Sequence, residues 1–268
     1  MNQSSVRPQS LNKVEICGLY KVYEETSSEA ALDSISDRHV LTDLNFAVPA
    51  RSFTCFLGPS GCGKSTLLRI IAGFDTPSRG EVLVDGDPVC GPNPKHIFVF
   101  QEDGLFPWFT AYENIELGIR NLKDSQKRHE LVLEYLEMVG LKGFGGYYPH
   151  ELSGGMRRRA EVARALIANP DILFMDEPFG ALDFVTRLQM REEMLNVHAM
   201  FPTTILFITH DIDEAIQLAD QIVLFTERPT SVKEVLSLGY PHPRDFTKGD
   251  LAVLRRHIYR TMGVHAAL

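Results

Sequence analysis

The segment Gly58 to Thr66 reads G-P-S-G-C-G-K-S-T and restricts the possible folds more than any other part of the chain. The apolar run Phe53 to Leu57 precedes it with the composition of a strand, and Lys64 to Ala72 follows with helical spacing up to Gly73. A glycine-rich loop between a strand and a helix is the setting of the G-x-x-x-x-G-K-S phosphate loop. The alternative is a glycine-rich turn before an ordinary helix, and the complete spacing with both flanks argues against it.

The residue types of this loop suit a bound nucleotide. Glycines at its first, fourth and sixth positions can take positive φ, so that successive N–H groups turn towards a β-phosphate. Lys64 can place its ammonium between the β- and γ-phosphates, the Ser65 hydroxyl can ligate Mg²⁺, and Thr66 can reach the α-phosphate. The sequence therefore predicts that the whole loop binds the nucleotide: Gly58, Pro59, Ser60, Gly61, Cys62, Gly63, Lys64, Ser65 and Thr66.

Composition limits the class of protein. The chain has 268 residues, of which 44% are hydrophobic and 23% charged, as in ordinary globular proteins of one large or two small domains. The formal net charge of −8 argues against nucleic acid as the main partner. The segment Met1 to Leu11 lacks the apolar core of a secretory signal, and no apolar run approaches the roughly 20 residues of a membrane span. We therefore expect a cytoplasmic protein.

The four cysteines are scattered without C-x-x-C spacing, which favours reduced thiols over a disulfide framework or a zinc site. Among the charged residues, Arg157, Arg158 and Arg159 are consecutive on a predicted helix and so point in different directions. For most of them a solvated face is expected.

Hydrophobic patterning predicts an α/β fold with a helical insertion. The long polar stretch Glu24 to His39 is expected to be a surface loop, and helical spacing from Tyr112 to Leu141 indicates a separate helical lobe. A helix is expected to begin at Ser153 and run to Ala168. The expected strands are Val14 to Tyr23, Val40 to Val48, Gly80 to Asp85, His96 to Gln101, Asp171 to Met175, Thr203 to Thr209 and Gln221 to Phe225, and the other expected helices are Val185 to Met200 and Ile212 to Ala219.

Polar residues follow three of the predicted strands. Gln101, the pair Asp176 and Glu177, and His210 each come where an apolar strand ends. The carboxyl ends of parallel strands share one edge of a sheet, so these side chains should converge on the nucleotide. There Asp176 and Gln101 would serve Mg²⁺, Glu177 would polarise the attacking water, and His210 would hold the γ-phosphate. Each residue taken alone is more often an ordinary loop residue.

The segment Leu152 to Met156, L-S-G-G-M, predicts a second anion site. A serine N-cap at Ser153 followed by Gly154 and Gly155 exposes the amides of a helix start. The simpler alternative is a good helix cap. A second such site is unexpected in one monomeric enzyme.

Together these segments resemble the nucleotide-binding subunit of ATP-binding cassette (ABC) transporters over nearly the whole chain. The matching pieces occur in the order of that family, and they are the phosphate loop, Gln101, Leu152 to Gly155, Asp176 with Glu177, Ala181-Leu182-Asp183, and His210. The resemblance implies a P-loop NTPase (RecA-like) core with a mainly parallel sheet, an N-terminal antiparallel β part and an inserted helical subdomain. It also implies a single ABC ATPase domain, with its core at about 12–105 and 160–226, the helical subdomain at about 106–159 and a tail at about 227–268.

The resemblance further implies an ATPase that uses ATP and Mg²⁺ and works as a dimer. Each ATP would lie between the phosphate loop of one chain and Ser153, Gly154 and Gly155 of the other, with Tyr23 stacked on adenine and Asp183 at the dimer seam. The catalytic set would be Lys64, Glu177 and His210, and the metal ligands Ser65, Gln101 and Asp176. The implied partners are a second cassette, membrane permease subunits and, indirectly, a solute-binding protein, and the implied location is the cytoplasmic face of the membrane.

Two departures from the family pattern leave the phosphate-binding groups intact. Met156 replaces the usual glutamine after L-S-G-G, and Ala50-Arg51 stands where many relatives have Gly-Glu.

Other segments of the chain are similar to those of bacterial importers of the nitrate, sulfonate, taurine and pyrimidine-precursor group. The segments are Phe100 to Glu102, Leu105 to Trp108, Asn114, Arg228 to Thr230 and Pro241 to Asp245. The apolar cluster Leu105 to Phe109 fits either a groove for a permease helix or the core between lobes.

Several alternatives remain at this stage. An exporter subunit with separate permease chains belongs to the same family. A non-transport ABC ATPase would usually carry two cassettes or a long coiled-coil insertion, and the chain shows neither. A monomeric P-loop kinase or GTPase would have no use for the L-S-G-G helix, and the sequence lacks the guanine-reading N-K-x-D motif.

Overall fold

The computed structural model describes residues 11–23, 39–100, 104–180, 182–201, 203–244 and 249–263. Its strands are β1 (Asn12–Val22), β2 (His39–Pro49), β3 (Phe53–Leu57), β4 (Arg79–Val84), β5 (Asp87–Pro88), β6 (His96–Val99), β7 (Ile172–Asp176), β8 (Thr204–Thr209), β9 (Gln221–Phe225) and β10 (Val232–Ser237). Its helices are α1 (Lys64–Ile71), α2 (Ala111–Glu116), α3 (Ser125–Met138), α4 (Gly154–Ile167), α5 (Phe184–Met200), α6 (Ile212–Leu218) and α7 (Gly249–Thr261), with short 3-10 helices at Leu117–Ile119 and Pro149–Glu151.

Two sheets form the framework. The larger has the strand order β10-β9-β3-β8-β7-β6, in which β9, β3, β8, β7 and β6 pair in parallel and β10 pairs with β9 in antiparallel fashion. The smaller sheet, β2-β1-β4-β5, is antiparallel throughout. The predicted fold class, a mainly parallel sheet with an N-terminal antiparallel part, is therefore confirmed.

Strands β9, β3, β8 and β7 of the larger sheet are buried on both faces, which explains why they read as continuous apolar runs. Alternate residues of β3 face opposite layers: Phe53, Cys55 and Leu57 pack in the layer that includes α4 to α7. Phe56 packs on the other face, with α1 and the antiparallel sheet. The central position of β3, between β9 and β8, places the loop that follows it at the middle of the sheet edge.

The inserted helices α2, α3 and α4 pack on one another beside β6. Each has a side-chain cap at its start: Thr110 for α2, Asp124 for α3 and Ser153 for α4. The insertion is joined to the segment before it by Asn114, which is fully buried and whose Oδ1 accepts from the Phe106 amide at 2.8 Å. The predicted helical insertion is thus present.

Some boundaries differ from the sequence prediction. β1 ends at Val22, so Tyr23 lies just outside it, and His39 begins β2 instead of ending the preceding loop. Residues 24–38 and Gln101 lie outside the described residues.

The elements β10 and α7 were not predicted. β10 is a sheet-edge strand with alternating half-buried and exposed residues, and α7 buries only Leu251 and Ile258. Their apolar pattern is therefore weak. In the described ranges no helix combines the length and apolar content needed to cross a membrane.

Candidate nucleotide-binding and catalytic site

The phosphate loop needs glycine at two positions because of its backbone. Gly61 has φ +75° and Gly63 φ +114°, the left-handed region that other residues seldom adopt. A Cβ on Gly63 would also lie 2.7 Å from Cγ1 of Val40 in β2. The prediction of a positive φ at Gly58 is wrong: close packing favours glycine there, since a Cβ would lie 3.1 Å from that of Phe225.

The loop is also held from behind. Thr230, which is 1% exposed, donates from Oγ1 to the Cys62 carbonyl, and its amide donates to the Val40 carbonyl at 3.0 Å. Cys62 itself is 2% exposed. The loop is therefore fixed between β2 and the turn that follows β9.

Lys64 begins α1 and folds its side chain back over the loop. Lys64 as a whole is 5% exposed, and its ammonium donates to the carbonyls of Gly58 and Pro59, each at 2.8 Å. A phosphate oxygen is a stronger acceptor for an ammonium than a neutral carbonyl. The arrangement therefore presents a desolvated positive charge to any phosphate in the loop, beside the positive end of α1.

Ser65 and Asp176 meet where α1 begins and β7 ends. The Ser65 hydroxyl hydrogen-bonds the Asp176 carboxylate, which is 8% exposed. Burial raises the pKa of Asp176, as does the Glu177 charge, while the Ser65 hydrogen bond and the Arg69 and Lys64 charges oppose the rise. A hydroxyl and a carboxylate in contact are the hard oxygen ligands that Mg²⁺ prefers when phosphates complete its shell. These two residues fit a magnesium ion.

Glu177 and His210 form the second pair at this sheet edge. Glu177 follows β7, His210 follows β8, and Oε2 of the glutamate lies 3.3 Å from Nδ1 of the histidine. Glu177 has φ +45°, a strained conformation that is common at functional sites, and its amide donates to the Ile208 carbonyl at 3.1 Å. The two side chains line one small cleft.

The backbone around His210 is fixed by its neighbours. The Thr209 hydroxyl donates to the buried carboxylate of Glu214, and the Asp211 amide donates to the Thr209 hydroxyl at 3.0 Å. Asp211 caps α6 and pairs with Arg191 at 2.7 Å. The imidazole is therefore presented from a rigid turn, although its own side chain is 57% exposed.

The L-S-G-G segment forms a separate cluster. The Ser153 hydroxyl caps α4 by accepting from the Met156 amide at 3.2 Å. A Cβ on Gly155 would lie 2.6 Å from Cγ2 of Thr186, so only glycine fits there. Thr186 also donates from its amide and its hydroxyl to Asp183, at 3.0 and 2.6 Å, and these bonds lower the pKa of Asp183.

Tyr23 is anchored near the far end of α1. Its hydroxyl donates to Asp75 at 3.0 Å, and the Lys21 ammonium lies 4.7 Å from the centre of its ring while donating to the same carboxylate at 2.6 Å. The residue is 47% exposed. Its ring is thus held in place with surface left for a further contact.

The structure brings some of the predicted site residues together and keeps others apart. Ser65 meets Asp176, and Glu177 meets His210, at the predicted edge. Ser153, Gly154 and Gly155 are not brought to the phosphate loop of the same chain; among the described residues, their cluster contacts Met156 and Thr186. The predicted role of Gln101 falls on a residue outside the described ranges.

Two contributing residues were missed by sequence reasoning. Thr186 had a signal, because a threonine three residues after a helix-capping aspartate is placed to return a hydrogen bond to the cap. Asp75 had none, because it lies 52 residues from Tyr23 in the sequence.

Comparison with known proteins decides the family. The family model for ABC transporters matches residues 41–180. The chain belongs to the ABC transporter family. The resemblance predicted from the sequence is therefore confirmed, and with it an ATP-binding subunit that is an ATPase.

Individual relatives agree with the family. The aliphatic sulfonates import ATP-binding protein SsuB of Bacillus cereus is 44% identical over 219 residues, 82% of this chain and 86% of that protein. The uncharacterised ABC transporter ATP-binding protein MJ0412 of Methanocaldococcus jannaschii is 41% identical over 249 residues, 92% of this chain and 90% of that protein. Among solved structures, the dimeric post-hydrolysis state of the ATP-binding cassette MJ0796 bound to ADP and Pi matches with a TM-score of 0.70 at 30% identity, covering 85% of this chain and 100% of that one.

Proposed function

We propose that this ABC ATP-binding subunit forms a head-to-tail homodimer around two MgATP molecules and drives a membrane permease that takes up a small solute. The main support is the meeting of three groups at one sheet edge: the buried Lys64 ammonium, the Ser65–Asp176 pair, and the Glu177–His210 pair at 3.3 Å. In-line phosphoryl transfer needs charge neutralisation and a positioned water more than covalent help. These groups supply both.

Each residue has a defined part in the proposed reaction. Lys64 and the loop amides neutralise the β- and γ-phosphates, and Ser65 and Asp176 hold Mg²⁺, with Gln101 as a further ligand. When bound, the ion supplies positive charge to the same phosphate oxygens. Glu177 accepts the hydrogen bond of the attacking water, and His210 holds Glu177 and contacts the γ-phosphate. Tyr23 stacks on the adenine.

In the proposed dimer the L-S-G-G cluster binds the ATP of the partner chain. Ser153 and Gly154 are exposed, and they expose the first amides of α4 without reaching their own phosphate loop. In a head-to-tail dimer Ser153, Gly154 and Gly155 of one chain complete the site built on Lys64 of the other, with Asp183 at the seam. The similar cassette bound to ADP and Pi is dimeric, which supports a dimer. We place the division between core and helical subdomain near residues 105 and 160, with all of the chain forming one ATPase domain.

A mixing experiment tests the shared site. Lys64→Ala and Ser153→Glu should each be inactive alone, because each spoils both sites of a homodimer. Mixed in equal amounts, half of the dimers pair one variant with the other, and each mixed dimer keeps one intact site. Phosphate release should then rise above that of either variant alone, to at most about one quarter of the wild-type rate. A mixture no more active than its parts would contradict a site built from two chains.

The proposed cargo is a small solute such as nitrate, a sulfonate, taurine or a pyrimidine precursor, received through permease subunits and indirectly from a solute-binding protein. The subunit would work at the cytoplasmic face of the membrane. Import is favoured over export because the name of a 44% identical relative specifies aliphatic sulfonates import. That name also makes an aliphatic sulfonate the first cargo to test.

Deletion of the coding sequence should abolish ATP-dependent uptake of a labelled aliphatic sulfonate by the cells that carry it. The wild-type chain should restore uptake and Lys64→Ala should not, because transport needs hydrolysis. Normal sulfonate uptake in the deletion strain would reject this cargo, and accumulation of the solute inside the deletion strain would indicate export.

A further inference from the structure

The three consecutive arginines of α4 do not share one environment. Arg157 and Arg159 are partly exposed, whereas Arg158 is 5% exposed and pairs with Glu161, which is 3% exposed. A solvated face was expected for most of the three, and Arg158 is the exception. A buried ion pair is seldom worth more to stability than an apolar pair of the same volume, because both charges lose their hydration. The role of this pair therefore depends on the segments that it contacts.

The pair bonds two loops outside its own helix. Arg158 donates from Nη1 to Oε2 of Glu161 at 2.6 Å and from Nε to the Pro178 carbonyl at 2.7 Å. Glu161 in turn accepts from the Gly104 amide. The approach at Gly104 is close, since a Cβ there would lie 2.4 Å from Oε1 of Glu161.

Both loops lead to predicted site residues. Pro178 directly follows Glu177, and Gly104 lies three residues after Gln101. Arg158 itself is five residues after Ser153, within two turns of the exposed end of α4. One buried charge pair therefore connects the L-S-G-G end of α4 with the loop that carries the glutamate proposed to act on water.

We propose that Arg158 and Glu161 are positioning residues that couple the two ATP sites of the dimer. This inference rests on the proposed function. There, Glu177 serves the ATP on its own phosphate loop, while α4 of the same chain serves the ATP of the partner. The Arg158 fork fixes the peptide after Glu177 relative to α4, so docking of α4 on the partner's nucleotide sets the position of Glu177. Arg158 touches neither nucleotide.

The first test is Arg158→Met, which keeps the apolar stem and removes both donors. The Pro178 carbonyl then loses its buried charged donor, and kcat for ATP should fall about tenfold. KM for ATP should stay within about twofold of wild type, because the phosphate loop and Lys64 are untouched. The assay is phosphate release by the purified full chain over a range of ATP concentrations.

Arg159→Met is the matched control. Arg159 is the next residue of the same helix and donates to the carbonyls of Val139 and Gly140, within the helical insertion. It has no bond to the Glu177 loop among the described contacts, so kcat should stay within about twofold of wild type. An equal fall in both variants would mean a general loss of the helical insertion and would overturn the inference.

Arg158→Lys covers the case in which Arg158→Met does not fold. Lysine keeps the charge opposite Glu161, but one ammonium lacks the rigid fork that serves Pro178 and Glu161 together. We expect an intermediate loss in kcat of about threefold, again with KM unchanged. Wild-type kcat in every folded Arg158 variant, or a raised KM with unchanged kcat, would overturn the inference.

The dimer itself is judged separately, by whether Glu177→Gln accumulates as an ATP-bound dimer. Absence of that dimer would reject the proposed function. Its presence, together with wild-type turnover in folded Arg158 variants, would reject only the coupling role.

Discussion

Glu177→Gln should bind ATP normally and hydrolyse it at least about a hundredfold more slowly than the wild type. Glutamine keeps the size of the side chain but removes the carboxylate that faces His210 at 3.3 Å, so the attacking water loses its acceptor. Binding groups on the phosphate loop are unchanged, so the ATP-bound dimer should accumulate. Single-turnover phosphate release and size-exclusion chromatography in ATP measure the two effects.

Glu192→Gln makes the same substitution at an exposed glutamate of α5 and is the control. Its turnover should stay within about twofold of wild type. Glu177→Gln that turned over ATP at the control rate would exclude Glu177 from the chemistry.

Lys64→Ala should reduce turnover by at least about a hundredfold, because a preorganised charge on the transferring phosphate is lost. The ammonium donates to two loop carbonyls at 2.8 Å, which holds the charge in place over the loop. ATP affinity should fall as well, in contrast to Glu177→Gln. Equilibrium binding of a fluorescent ATP analogue and steady-state phosphate release measure both quantities.

Lys95→Ala is the control for charge alone. Lys95 precedes β6 at the opposite edge of the parallel sheet, and its side chain is 70% exposed beside Asp171. Removing it lowers the net charge by the same amount without touching the phosphate loop, and turnover should stay within about twofold. Comparable activity in Lys64→Ala and Lys95→Ala would refute the role of Lys64.

The sequence was sufficient for those parts of the site that depend on local spacing. A phosphate loop has one backbone conformation, and parallel strands end at one edge, so Ser65 with Asp176 and Glu177 with His210 could be placed without coordinates. Contacts that depend on which face of a helix packs against the sheet could not be predicted from the sequence. Arg158 is the clearest case, because three adjacent arginines look alike until packing selects the one that is buried.

Weak periodicity explains the elements that were missed. The described part of the tail contributes β10 at the sheet edge and α7 against α6, each with few buried residues. An edge strand with no fully buried residue and a helix with two buried residues carry too little apolar pattern to be separated from a polar loop. The prediction of a positive φ at Gly58 was wrong for a different reason: a close neighbour such as Phe225 can favour glycine even where the backbone angle does not.

The contacts that Thr230 and β2 make with the phosphate loop affect how the free energy of ATP binding is used. A flexible loop that wraps a ligand loses roughly 1–2 kcal/mol of backbone entropy for every residue that becomes ordered. Here Thr230 already fixes the Cys62 carbonyl, and Val40 already packs over Gly63. The loop therefore loses this backbone entropy when the protein folds and not when ATP binds. A larger part of the free energy of ATP binding is then available to stabilise the dimer.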